Sequence, residues 1–449
     1  MRRANGWCVL TCVALSAALL GSLSMATADS GSDHHGGSAR LHVPPPNQDG
    51  LRQVADLLRA HRFADARLLR RMLLQPQAVW VESGTPRETE RQVRRTMADA
   101  RRQGAIPVFV AYNIPFRDCA QFSAGGATTV AEYLAWIDGF AKGIGHGEAM
   151  VILEPDGLGI IPWYTPRGAA GPDWCQPAEA DPVTAASDRL FMLNQAVDRF
   201  NQQPNVRVYL DGTHTAWLSV SDMTDRLIKA GVERATGFFL NVSNYQISPN
   251  LVQYGTWISQ CITYVTQVAP GNFAECADQY WNGGPLPAKI AELLGEWTGV
   301  PLDKFGEWSD ASDVPELNTS GINLRYANNL AGAVPTARFV IDTSRNAAGP
   351  WQPPAYDFPG PFGTDPQDWC NPPGRGNGLR PTTATGSDLL DAYLWVKTPG
   401  ESDGECNRSL GPPGETVDPE WGQIDPGAGD WFRDQALELA RLAIPPLGC

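Results

Sequence analysis

Apolar and β-branched residues recur along the chain in seven short, unbroken runs: AVWVES at 78–83, IPVFVAYN at 106–113, AMVILEP at 149–155, VRVYLDG at 206–212, GFFLNVS at 237–243, RFVIDTS at 338–344 and DAYLWVK at 391–397. Unbroken rather than alternating character is what parallel strands covered on both faces require. Between and around them lie stretches with helical periodicity, at 51–74, 87–103, 128–142, 186–203, 321–332 and 430–443. This alternation predicts an α/β fold with a parallel sheet, and seven such units closing on themselves predict a barrel. From about Leu51 onward no repeat or low-complexity linker interrupts it, so one large domain over 47–449 is expected, with 246–320 as a long insertion after the fifth strand.

The polar residues fall in a second pattern. Nearly every strand candidate ends, at its carboxyl side, in groups capable of chemistry: Glu82; Tyr112, Arg117 and Asp118; Asp156; Asp211 and His214; Asn241 and Asn244; Asp342 and Arg345; Lys397, Glu401 and Asp403. Each acid taken alone is accounted for equally well as a helix cap or a partner for a loop amide. In a closed parallel barrel, however, all these ends meet on one rim, where barrel active sites lie.

Composition narrows what that rim does. Arg2 and Arg3, an apolar stretch through Val13–Leu23 and the ending Ala26-Thr27-Ala28 predict a signal peptide over 1–28 and a secreted, extracellular protein. Residues 29–46, polar, Gly/Ser-rich and ending in three prolines, predict a disordered tail. No later run is long enough to span a bilayer. A net charge of −14 and the lack of a Lys/Arg cluster argue against nucleic acid as a partner. Beyond the signal peptide seven cysteines remain, and spacing alone does not decide their pairing. Sequential bridges are the expectation, Cys119–Cys175, Cys261–Cys276 and Cys370–Cys406, with Cys449 free.

No G-x-S-x-G elbow, H-E-x-x-H or C-x-x-C spacing occurs, so serine hydrolase chemistry and a metal site are not expected, nor is a cofactor. Carboxylate acid/base chemistry remains. With 15 Trp in a secreted chain, glycoside hydrolysis leads.

The segments YNIPFRDC (112–119), ILEPDGL (152–158), YLDGTHTAWL (209–218), LNVSNY (240–245), VIDTSRN (340–346), DWCNPPGRG (368–376) and LWVKTPGESDG (394–404) resemble, in order, the signature segments of glycoside hydrolase family 6. The resemblance implies a distorted, seven-stranded parallel (β/α) barrel with its active site at the C-terminal strand ends. It also implies inverting hydrolysis of β-1,4-glucans, with β-glucan polysaccharide and oligosaccharides as partners and a monomeric enzyme. Carried over by position, Asp156 is the proton donor, with Glu154 beneath it as a supporting partner. Asp118 and Asp211 keep the donor's pKa high, Asp403 is the base, and Tyr112 crowds the reactive sugar. Trp80, Trp217 and Trp369 stack glucose rings; Arg117, His214, Asn241, Arg345, Lys397 and Glu401 complete substrate binding and the surroundings of the base. The loop between Cys370 and Cys406 is short by the standard of the family's chain-end cutters, which favours internal cleavage. The alternatives are a cellobiohydrolase, a non-catalytic β-glucan-binding protein, and a retaining enzyme with Glu154 as nucleophile.

Overall fold

Seven strands form where the apolar runs predict them: β1 (Val79–Val81), β2 (Val108–Ala111), β3 (Ala149–Leu153), β4 (Val206–Asp211), β5 (Gly237–Leu240), β6 (Arg338–Asp342) and β7 (Leu390–Leu394). The computed structural model describes residues 38–285 and 298–448; the signal peptide, the first part of the expected tail and Cys449 lie outside them. All neighbouring strands pair in parallel in the order β1 to β7. Their ends lie level to within a residue, with Val81 opposite Ala111, Ala111 opposite Leu153, Leu153 opposite Leu210, and Asp342 opposite Leu394. The strand exits therefore share one rim.

The strands divide their side chains between two cores. Val110, Ile152, Tyr209, Phe239, Val340 and Ala392 fill the barrel interior. Phe109, Val151, Leu210, Phe238 and Ile341 face outward against the helices. These are α1 (Gln48–Arg59), α2 (Phe63–Leu73), α3 (Pro86–Gln103), α4 (Val130–Ile144), α5 (Ala185–Asn201), α6 (Val220–Lys229), α7 (Ser248–Thr263), α8 (Ser320–Leu330) and α9 (Arg433–Arg441). α3 begins at a capping box in which Thr85 and Glu88 exchange side-chain and backbone bonds.

The ladder does not run on from β7 to β1. That seam is held by the Ala78 N–H donating to Trp395 O at 2.9 Å and the Trp80 indole donating to Val396 O at 2.8 Å. Outside it, α1, α2 and α9 pack with Trp395 into a third apolar cluster. The fold is thus the distorted (β/α) barrel that the seven runs imply.

Three expectations need correction. The single helix over 51–74 is two, because His61 takes a left-handed φ of +57° and the Arg62 N–H reaches back to Leu57 O, ending α1 in a Schellman-type turn. Within the tail expected over 29–46, the described residues 38–46 are held in place. The Ile106 N–H donates to Arg40 O and the His42 N–H to Ile106 O, and Leu41 is buried in the interior core. Composition missed this because a few residues of strand-like pairing suffice to fix a segment once an apolar side chain has a cavity to fill. Finally, 246–320 is not all insertion. α7 packs against α6 and β6 as the barrel's own helix between β5 and β6, so only the chain after it is extra.

Candidate active site

The strand rim opens into a cleft of about 770 Å3. Its walls include Trp80, Tyr112, Arg117, Asp118, Asp156, His214, Trp217, Trp369, Lys397, Glu401 and Asp403, all singled out from the sequence. Asp211, Asn241 and Arg345 are buried beneath it instead.

The β3 exit shows how one strand end aims two acids differently. Glu154 and Asp156 both adopt left-handed φ, +54° and +62°, around Pro155, a conformation that costs non-glycine residues free energy and persists only when surroundings enforce it. Those surroundings are two buried arginines. Arg189 of α5 donates to Gly157 O, Ile160 O and Pro115 O at 2.8–2.9 Å. Arg226 of α6 donates to Leu158 O at 2.9 Å and Gly159 O at 3.2 Å. The twist turns Glu154 into the wall, where it accepts the backbone N–H groups of Asn113 and Ile114 at 2.9–3.1 Å. It turns Asp156 into the cleft. Glu154, fully buried, therefore latches the β2 exit and lies outside the cleft lining.

Burial pushes the Asp156 carboxyl well above the usual carboxylate range, and the charges of Asp211 and Asp118 push it further. Asp118, on the loop after β2, accepts the Ser123 N–H at 2.7 Å. Burial raises it to about 6 against the opposing pull of that N–H and of Arg117. Asp211 accepts the N–H groups of Leu158, Gly159 and Thr213 at 2.8–3.1 Å, which fixes the loop that carries Asp156.

Asp403 is in the opposite condition. Burial works to raise its pKa, but Arg345 and Lys397 together hold it below the usual value. Arg345 donates to both its oxygens at 2.8 and 2.9 Å, and Oδ2 also accepts the Tyr245 hydroxyl and the Asn371 N–H, each at 2.9 Å. Lys397 Nζ stands 3.7 Å from Oδ1. This carboxylate is a fixed negative charge whose Oδ2 carries three hydrogen bonds and whose Oδ1 carries one.

The remaining cleft groups are polar edges and aromatic faces. Burial, with help from Lys304, lowers His214 to about 3, so the ring is neutral. Its Nδ1 accepts the Ala216 N–H at 3.2 Å, which leaves the proton on Nε2. Trp217 lies over Gly159, where an added Cβ would come within 2.5 Å of the ring. Trp80 meets Tyr112 edge-on at 5.5 Å, and Trp369 is tilted against Phe122 at 6.1 Å. Arg117 donates to Tyr112 O, Glu82 O and Ser123 O and covers the Tyr112 ring at 4.6 Å, so it braces the wall.

All three expected disulfides are formed, with Cα separations of 5.8, 5.5 and 5.9 Å. Cys119–Cys175 anchors the residue after Asp118, and Cys370–Cys406 ties the residue after Trp369 to the Asp403 segment. The sequence reading missed Tyr245 and Asn371 as holders of Asp403, although both lie inside the segments that carry the family resemblance. It also missed Arg189, whose only signal is an arginine among the buried apolar residues of α5, and Arg226, which pairs with Asp222 on its own helix and so reads as an ordinary surface ion pair.

A family model described as Glycosyl hydrolases family 6 matches residues 37–443. Endoglucanase A of Cellulomonas fimi is 30% identical over 380 residues, 84% of this chain and 57% of that protein. A probable 1,4-β-D-glucan cellobiohydrolase C of Aspergillus niger is 28% identical over 396 residues, 82% of this chain and 69% of that one. The chain thus spans little more than half the length of the Cellulomonas fimi protein. Among solved structures, the endoglucanase of Mycobacterium tuberculosis in complex with methyl-cellobiosyl-4-deoxy-4-thio-β-D-cellobioside superposes with a TM-score of 0.58 at 28% identity, over 90% of this chain and 97% of that one. With the family model spanning nearly the whole of the described barrel, and the barrel and its acidic rim in place, the chain belongs to glycosyl hydrolase family 6.

Proposed function

We propose that this chain hydrolyses internal β-1,4-glucosidic bonds in cellulose or related β-glucans, with inversion at the anomeric carbon. The observation that carries the reading is Asp156, a carboxyl held protonated by burial and by neighbouring acids while standing in a tryptophan-walled cleft. Such a group is a general acid for a leaving glycosidic oxygen. Trp80, Trp217 and Trp369 offer faces for glucose rings. His214 offers an N–H donor to a sugar hydroxyl, and Lys397 and Glu401 are polar partners of opposite sign.

The proton released by the attacking water needs a path. Asp403 is paired with Arg345 through both oxygens, and its depressed pKa makes it a poor direct acceptor. Asp118, raised to about 6, ionises near neutrality and is the better first receiver, with Asp403 and Arg345 supplying a fixed field. Glu154 is buried away from the cleft, which argues against a retaining mechanism that uses it as nucleophile.

The short Cys370–Cys406 loop and the endoglucanases among the similar proteins support internal cleavage. One observation favours the chain-end alternative: Phe122, after β2, touches Trp369, after β6, so these two loops meet. Three disulfides fit a protein secreted from the cell.

The experiment is a product profile from cello-oligosaccharides with the anomer of fresh product followed by NMR, together with viscosity loss of carboxymethylcellulose against reducing-sugar yield. α-Anomeric product and a steep fall in viscosity are expected; β-anomer would overturn inversion. Asp156→Asn should lower kcat by about 10²- to 10⁴-fold while oligosaccharide binding persists. Full activity in that variant would sink the assignment.

A further inference from the structure

We propose that Trp174 is an additional stacking platform of the cleft, one that takes a β-linked glucose ring only when the bound glucan extends to the rim. The inference rests on reading the cleft as a β-1,4-glucan site. Trp174 lies in the long segment between β3 and α5 and lines the cleft, yet 52% of its surface is exposed. Trp80, Trp217 and Trp369 are less open than this, which places Trp174 at the edge of the opening.

Its backbone is held firmly. The Trp174 N–H donates to Asp173 Oδ1 at 2.9 Å, the Asp173 N–H to Tyr164 O at 2.7 Å, and the Trp163 N–H to Cys175 O at 2.8 Å. Cys175 is bonded to Cys119, the residue after Asp118, so the segment is fixed to the loop that carries a cleft acid. The nearby Trp163 makes the contrast. It is half-buried, its indole donates to Pro177 O at 3.1 Å, and it stays outside the cleft. One tryptophan of this segment thus serves packing. The other holds a large apolar face in water on a rigid mount, which forfeits burial free energy, and among the described residues no aromatic ring stacks on it. The C–H face of a glucopyranose is the surface that such an indole accepts.

Binding is measured by calorimetry with cellotetraose and cellohexaose on Asp156→Asn, which keeps the ligand intact, and on Asp156→Asn carrying Trp174→Ala. Cellohexaose affinity should fall roughly three- to tenfold and cellotetraose affinity stay put. Trp174→Phe should restore most of the difference. In the otherwise unaltered protein, Trp174→Ala should raise KM for cellohexaose by the same factor with kcat unchanged. Equal losses at both lengths would reduce Trp174 to a structural part, and no loss at either would remove the platform while leaving the glucanase reading intact. Absence of turnover beside length-dependent binding would overturn the glucanase reading alone. No binding of either oligosaccharide would overturn both.

Discussion

One residue, Pro155, separates Glu154 from Asp156, and the two acids receive opposite assignments because each side chain leaves a left-handed backbone on its own side of that proline. Direction, more than residue type, decides which acid can meet a substrate. The protonation of Asp156 is then set first by burial, next by Asp211 and Asp118. Asp118→Asn removes one of those negative charges, so the Asp156 pKa should fall and the alkaline limb of kcat/KM should move to lower pH by on the order of one pH unit. On the proposed mechanism Asp118 itself, at about 6, should set the acid limb, since its carboxylate would be the form that takes the proton from water. That limb should vanish in the same variant. The pH dependence of kcat/KM on a soluble cello-oligosaccharide checks both, and an alkaline limb left in place would mean that burial and Asp211 alone hold Asp156 protonated.

Strand ends carry a second kind of acid whose work is done on backbone amides. Glu154 at the end of β3 latches the exit of β2; Asp211 at the end of β4 latches the exit of β3; Asp342 at the end of β6 accepts N–H groups from Val396 and Lys397 after β7 and from Ser243 after β5. From residue type and position alone these are indistinguishable from the cleft acids, because a carboxylate at a strand end serves equally well as latch or as catalyst until its rotamer and neighbours are known; only the family resemblance set Glu154 apart. Asp211 acts from below the cleft both ways, raising the Asp156 pKa by its charge and holding the amides of the loop that carries Asp156. In Asp211→Asn the amide turns one donor toward backbone N–H groups that need acceptors, leaving at least one unsatisfied. A loss of about 1–3 kcal/mol in unfolding free energy is expected, with a drop in kcat as the Asp156 loop loosens. Urea unfolding followed beside kcat tests the coupling; loss of activity at unchanged stability would instead make Asp211 purely electrostatic.

At the scale of the whole molecule, the seven strands, their parallel order and the common rim were legible because buried parallel strands write themselves as unbroken apolar runs. What did not show was the means of closure. The seam between β7 and β1 depends on an indole, a single backbone bond and a pad of three helices, none of which has a periodic signature. The N-terminal segment belongs to the same problem, since its Gly, Ser and Pro content predicted a solvated tail while Leu41 reaches into the barrel interior beside Ile106, at the end opposite the cleft. Leu41 is 5% exposed and fills the floor of the barrel. Leu41→Ala should therefore cost about 2–4 kcal/mol, through lost burial and the void left behind. The cleft lies at the other end of the strands, so kcat and KM at 25 °C should hold near their original values while thermal inactivation comes earlier. Denaturant unfolding beside steady-state kinetics separates the two: a variant within about 0.5 kcal/mol of the parent, the range of ordinary surface changes, would return this segment to the status of a tail.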